Sequence, residues 1–224
     1  MFGSRELRAS RRTSWVLAVL VATVLLPLTN SEAAQNYSWD FAPGKTLDFT
    51  FERTGGGAPG SWSIVEVSDA PRGPSVLAQL DRDRTDYRFP LAIANRPILR
   101  DVSLSVECKS VAGDIDQACG LVVRYRDPGN YYVVRANALE NNVNLYRVVN
   151  GNRRQIAGWS GAVPKAQWNA LRLDARGMHF SVYWQNRRIL DADDATFSAA
   201  GRIGLWTKAD SVTYFSALAA RDLQ

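Results

Sequence analysis

His179 is the only histidine in a chain of 224 residues that also holds two cysteines. One histidine excludes a His₃ or His₂-Glu zinc centre, and two cysteines cannot make a Cys₄ site. His179 falls in Met178-His-Phe-Ser-Val-Tyr-Trp184, a strand pattern, with no G-x-S-x-G nucleophile elbow in company. No G-x-x-x-x-G-K-[ST] run is present, so a P-loop nucleotide site is not indicated. Beyond residue 33 the glutamates are Glu52, Glu66, Glu107 and Glu140. None stands in an E-x-D-x-E or E-x-D-x-x-E strand motif, the spacing that aims two carboxylates into one glycosidase cleft. Asp81-x-Asp83, Asp114-x-Asp116 and Asp191-x-Asp193-Asp194 offer oxygen ligands of the kind Ca²⁺ takes. They lack the EF-hand spacing and read first as solvated turns. An enzyme here would need two carboxylates facing across a cleft, or a carboxylate beside His179.

Recognition chemistry is better supplied than catalysis. Sugars are held by aromatic rings against their C–H faces and by amides, arginines and carboxylates at their hydroxyls. Arg124, Arg135, Asn137, Asn144, Tyr146, Trp206, Lys208 and Asp210 provide that mixture. Strand alternation puts most of them on one sheet face. The bland alternative is a solvated outer sheet with arginines lying along it. Trp206 and Tyr146 among cations argue for binding as a group.

The elements that must position these residues are strands. Residues 61–68, 75–80, 99–109, 119–127, 131–137, 143–149, 152–157, 168–175, 178–184, 202–208 and 213–222 read with period two and are rich in Val, Leu, Tyr and Trp. No window of twelve residues keeps a 3.6 period. Asn150-Gly151 is the favoured type I′ hairpin pair, and Asp127-Pro-Gly-Asn130 is a turn by composition. Close-spaced strands without helices between them predict an all-β, antiparallel two-sheet jelly-roll sandwich. Alternation turns Leu121, Val123 and Tyr125 toward the core, with Tyr132, Val134, Ala136, Val143, Leu145, Ile203 and Leu205. The opposite set, including Arg124, Arg135, Tyr146 and Trp206, is expected on an exposed face.

Cys108 shares the core-facing side with Leu104 and Val106, and Cys119 with Leu121 and Val123. Both point inward near the facing ends of two strands. A disulfide is expected in an exported protein; two buried thiols are the alternative. Export is suggested by the amino terminus. Arg5, Arg8, Arg11 and Arg12 precede an uncharged run, Trp15 to Leu28, and then Ser31-Glu-Ala33. Basic, apolar, small is the order of a signal peptide, with an uncleaved anchor as the other reading. The run is short for a membrane span, which needs about 20 apolar residues. The expected division is a signal peptide over 1–33, helical in its apolar part, and one domain over 34–224, in the periplasm or secreted. Removing 1–33 takes four arginines and two glutamates from the 27 basic and 22 acidic residues, leaving 23 and 20. The net charge drops from +5 to +3. The remaining charges are interspersed, which argues against a nucleic-acid surface.

Three segments carry a family resemblance: Asp116-Gln-Ala-Cys-Gly-Leu-Val-Val-Arg-Tyr-Arg126, Asn130-Tyr-Tyr-Val-Val-Arg-Ala-Asn-Ala138 and Gly204-Leu-Trp-Thr-Lys-Ala-Asp-Ser211. Together they resemble the bacterial exported 3-keto-disaccharide hydrolase-domain, or family-sixteen-glycoside-hydrolase-like, proteins. These are concanavalin A-like lectin/glucanase jelly rolls, related to the laminin G domain. The resemblance runs well over 100–222 and loosely over 37–99. It implies a carbohydrate-facing concave sheet, with Gln117, Arg124, Arg135, Asn137, Trp206, Lys208 and Asp210 as candidate ligands. It implies three kinds of function: glycan binding without catalysis, action on 3-keto-glycosides, or laminin G-like protein interaction. The missing paired-carboxylate motif separates this chain from true family-sixteen glucanases. Ca²⁺ is the one cofactor the acidic clusters leave open.

Overall fold

The computed structural model describes residues 1–3, 34–44 and 47–223. The signal-peptide reading, its helix included, falls outside that set except for residues 1–3. Fifteen strands follow one another, with no helix among the described residues. They are β1 (Asn36–Trp39), β2 (Phe49–Gly55), β3 (Trp62–Glu66), β4 (Ser75–Gln79), β5 (Arg88–Ala94), β6 (Val102–Ala112), β7 (Ala118–Asp127) and β8 (Asn130–Asn137). The second half adds β9 (Asn142–Val149), β10 (Asn152–Ser160), β11 (Trp168–Arg176), β12 (His179–Trp184), β13 (Arg187–Asp193), β14 (Arg202–Trp206) and β15 (Val212–Asp222).

Two antiparallel sheets result. One runs β13-β12-β11-β6-β15-β4-β3, with β1 also paired to β15; the other runs β10-β9-β8-β7-β14-β5-β2. This is the expected jelly-roll sandwich. Its core lies between the sheets: Leu104, Val106, Leu171, Val182 and Phe215 from the first meet Leu121, Val134, Leu145, Ile203 and Leu205 from the second. Cys108 on β6 and Cys119 on β7 are disulfide-bonded across that core, with Cα atoms 6.4 Å apart, so the two sheets are covalently tied. Asn150 and Gly151 both take left-handed φ, 48° and 77°, as a type I′ turn between β9 and β10 requires.

Two differences from the sequence reading bear on the site. First, β7 to β9 are not half-exposed strands. Phe89, Leu91, Ile93, Val122, Tyr125, Tyr131, Val133, Tyr146, Val148 and Trp206 form a second buried cluster, on the outer face of the seven-stranded sheet. The central strands are therefore covered on both sides, and their unbroken runs (Leu-Val-Val at 121–123, Tyr-Tyr-Val-Val at 131–134) are what such strands need. Second, the chain bulges at Arg124, which takes φ 50°, and the β7–β8 and β7–β14 registers both shift there. A one-residue bulge inverts the alternation beyond it. Tyr125 thus joins the outer cluster instead of the core, and Arg124 turns toward the other sheet. Gly201 leaves room for this bulge: a Cβ there would stand 2.5 Å from the Arg124 carbonyl carbon.

Candidate functional site

The outer face of the seven-stranded sheet is built on Gly120, opposite Trp206 on β14. A Cβ at Gly120 would sit 3.2 Å from Trp206 Cε3, so the glycine lets the indole lie over β7. Phe89 stacks on the indole with centroids 5.0 Å apart, and Trp206 Nε1 donates to the Tyr131 hydroxyl at 3.3 Å. Trp206 is wholly buried. That corrects the expectation of an exposed tryptophan platform: the ring is a floor, roofed by protein.

The roof is Arg153 of β10, a residue the sequence reading did not single out. Its guanidinium carbon lies 4.5 Å from the Tyr146 ring centroid, 4.7 Å from Phe89 and 5.6 Å from Trp206. A guanidinium over three ring faces is held by their quadrupoles. Tyr87, just before β5, closes the same end of the sheet. Its hydroxyl donates to Gly151 O at 2.9 Å and accepts from the Arg153 backbone N–H at 2.8 Å. Beside this contact is an open depression of about 730 Å³, lined by Tyr87, Arg147, Val149, Asn150, Asn152, Arg153, Arg154 and Thr196.

The other end of the face is polar. Asp116, wholly buried, accepts from Asn137 Nδ2 at 2.9 Å and faces Lys208 Nζ at 3.1 Å. Burial pushes its carboxyl up, while Arg135 and Lys208 pull the other way. Burial would lower Lys208, but its hydrogen bond to Asp86 and the charge of Asp116 outweigh that and raise the ammonium. Arg135 Nη2 reaches Glu140, Asn142 and the Tyr146 hydroxyl, each at 3.0 Å. The Asn144 amide lies 3.0 Å from the same hydroxyl. Asp116, Glu140 and Asp86 are each tied to a cation. Only the outer members, among them Glu140 and Asp86, meet solvent.

The residues expected in the site thus divide. Arg135, Asn137, Tyr146 and Lys208 come together in this net. Gln117 lies at its border, donating to Gly113 O at 3.0 Å, with its Oε1 buried and without a partner. Asp210 is buried and caps a turn, accepting from the backbone N–H groups of Asp114, Ile115 and Asp116 at 2.8, 3.0 and 3.0 Å. Burial raises its carboxyl, and the three amides more than reverse that. Arg124 does not belong to the site. It donates to Arg100 O at 3.0 Å, to Phe197 O at 2.8 Å and to Gly177 O, and its guanidinium carbon is 5.4 Å from the Phe180 centroid. It is a clamp between the sheets.

The acidic runs proposed for Ca²⁺ are occupied by protein donors. Asp81 binds the Arg88 guanidinium, and Asp83 accepts from Ala58 N, Thr85 N and Thr85 Oγ1. Asp194 binds Arg147 and the Tyr132 hydroxyl. Among the described residues no three His, Cys, Asp or Glu side chains gather as a metal site. His179 lies on the eight-stranded sheet, away from this face. It does have carboxylates beside it: Nδ1 is 2.8 Å from Asp193 and Nε2 is 3.2 Å from Asp191. Ser181 Oγ is 3.3 Å from Nε2 but donates to Asp191 at 2.6 Å, so it is not poised as a nucleophile.

Solved structures share this architecture. Carbohydrate-binding module CBM66 from Bacillus subtilis superposes with a TM-score of 0.58 at 21% identity, over 75% of this chain and 92% of its own. A Bacillus subtilis protein of unknown function with a galectin-like fold gives 0.62 at 11%, over 83% and 94%. The exoplasmic/lumenal domain of VIP36, in a form bound to Ca²⁺ and Man3GlcNAc, gives 0.56 at 12%, over 84% and 88%. At these identities the likeness shows the fold alone, a two-sheet antiparallel jelly-roll sandwich. No family model and no curated protein sequence matches the chain.

Proposed function

We propose that this protein is an exported carbohydrate-binding jelly roll without catalysis of its own. One observation carries the reading: the open depression of about 730 Å³ at the β9–β10 hairpin, where the Tyr87 ring, the Asn150 and Asn152 amides and arginines converge. An aromatic ring with a few placed polar groups is the division of labour a sugar site uses. The folds it resembles support the reading, since one is a carbohydrate-binding module and another was solved with Man3GlcNAc bound. The buried inter-sheet disulfide fits an oxidising compartment outside the cytoplasm.

The test is glycan-array screening followed by calorimetry of the best hits, with and without added Ca²⁺. Tyr87→Ala and Asn152→Ala should each weaken binding at least several-fold, while Asn144→Ala, at the far end of the face, should not. A broad panel without a ligand rejects the proposal. A second reading, an enzyme of the 3-keto-disaccharide hydrolase type, is favoured by the carboxylates flanking His179. Turnover of a 3-keto-disaccharide that His179→Ala abolishes would establish it over the first.

A further inference from the structure

Charge, not only shape, distinguishes the depression at the hairpin. Three arginines line it and no carboxylate does. Arg147 is neutralised by Asp194, which lies behind the lining. Arg153 and Arg154 have no ion-pair partner among the described residues. Arg153 Nη1 is buried and makes no hydrogen bond, although its guanidinium is fixed over Phe89, Tyr146 and Trp206. Arg88, Arg135 and Lys208, by contrast, each have a carboxylate: Asp81, Glu140, and Asp86 with Asp116. A buried donor without an acceptor is costly, and a planar guanidinium is the group that matches a carboxylate two bonds at a time. The rings hold that fork in one orientation before any ligand arrives, which lowers the ordering cost of binding.

We infer that the sugar bound here is acidic, a uronate-containing oligosaccharide whose carboxylate lies in the depression that Arg153 and Arg154 line from the two faces of β10. This rests on the carbohydrate reading above and adds a substrate class to it. Tyr87 is placed for the C–H face of the same ring, and Asn150 and Asn152 for its hydroxyls.

The experiment is calorimetric titration of the protein with oligomers of galacturonate, glucuronate, mannuronate and guluronate, each beside its methyl ester. Esterification removes the charge and keeps the sugar. At least one acid form should bind, with affinity lowered roughly tenfold or more by esterification, the usual scale for a charge-assisted contact. Raising salt from about 0.05 to about 0.5 M should weaken the acid form and leave the ester unaffected. Arg154→Gln, at an exposed side chain that the fold does not need, should reproduce the loss. Arg153→Lys, which keeps charge but not the fork, should lose most of the acid preference. Esters or neutral oligosaccharides binding as well as the acids would overturn the acidic class and leave the carbohydrate reading standing. Binding of sulfated sugars but no uronate would overturn the carboxylate assignment. No binding by any saccharide would overturn both.

Discussion

Replacing Arg124 by methionine tests the reassignment of that residue from ligand to clamp. The side chain is 1% exposed and donates to three carbonyl oxygens, of Arg100, Phe197 and Gly177, with Asp101 at 3.4 Å. Methionine fills much of the space but donates to none of them. Each buried acceptor left unmet costs about 1 kcal/mol or more, and losing the contact with the Phe180 face adds about 1 kcal/mol. Asp101 keeps a partner in the Gly177 N–H at 2.7 Å, which limits its share. The sum is about 4 kcal/mol, in line with breaking a buried ion pair by removing one partner. In equilibrium urea unfolding followed by tryptophan fluorescence, with a slope of about 2 kcal/mol/M, the midpoint should fall by roughly 2 M. Glycan affinity measured on the protein that remains folded should be unchanged. A midpoint shift below about 0.5 M, or a loss of ligand at full stability, would refute the clamp and return Arg124 to the list of ligands.

Three other outcomes follow from the same structure. Cys108→Ala with Cys119→Ala should cost about 3 kcal/mol on the chain-entropy model for a loop of this length, read by the same urea assay. Burial raises the Asp194 carboxyl, but the hydrogen bonds from Thr196, Tyr132 and Arg147 hold it at about 2, below its ordinary 3.8. A depressed folded pKa gives stability that is full above the unfolded value and is lost as pH falls from about 3.8 through about 2. Asp194→Asn should therefore remove on the order of 2 kcal/mol at pH 7 and flatten the acid limb of a stability–pH curve over that window. His179 is raised by its hydrogen bond to Asp193, with a smaller contribution from Asp191. Its contribution to stability is full below the ordinary 6.5 and lost as pH rises through the folded value. An NMR titration of the imidazole should fall above 6.5 and move down in Asp193→Asn.

The β architecture was legible because period-two runs and Asn-Gly turns depend on neighbours in sequence. All eleven strand windows contain a strand, and the cysteines face each other as their alternation implies. The strands that escaped notice have local reasons. β5 carries Pro90, which removes a ladder donor, and β13 reads Arg-Arg-Ile-Leu-Asp-Ala-Asp as the charged edge of its sheet. β1 and β2 pair with β15 and β5, residues far along the chain, so short windows hold little of what makes them strands. The bulge at Arg124 has no signature in its own segment. The room for it comes from Gly201, 77 positions later. That single inserted residue moved Tyr125 and Arg124 to opposite faces from those alternation assigns.

The site was less legible, and for a related reason. Alternation sorts residues to one face or the other but cannot say whether that face meets water. Arg135, Asn137, Tyr146 and Lys208 come together because β8 pairs with β9 and with β7, and Lys208 follows directly on β14, the other neighbour of β7. The burial of Tyr146 and Trp206 depends on Arg153 lying over both rings, and Arg153 is joined to Tyr87 by a hydrogen bond across 66 positions. What that roof does to function is a matter of electrostatics. Arg135 and Lys208 spend their charge on internal acids, so the polar net is closer to scaffold than to grip. Arg153 and Arg154 leave theirs unspent where the molecule opens. Binding energy for an anionic ligand is greatest where a cation is already ordered, partly dehydrated and unpaired, because the cost of preparing it has been met in folding. By that criterion the hairpin end of the sheet, rather than the aromatic centre, is where the proposed acidic sugar would gain most.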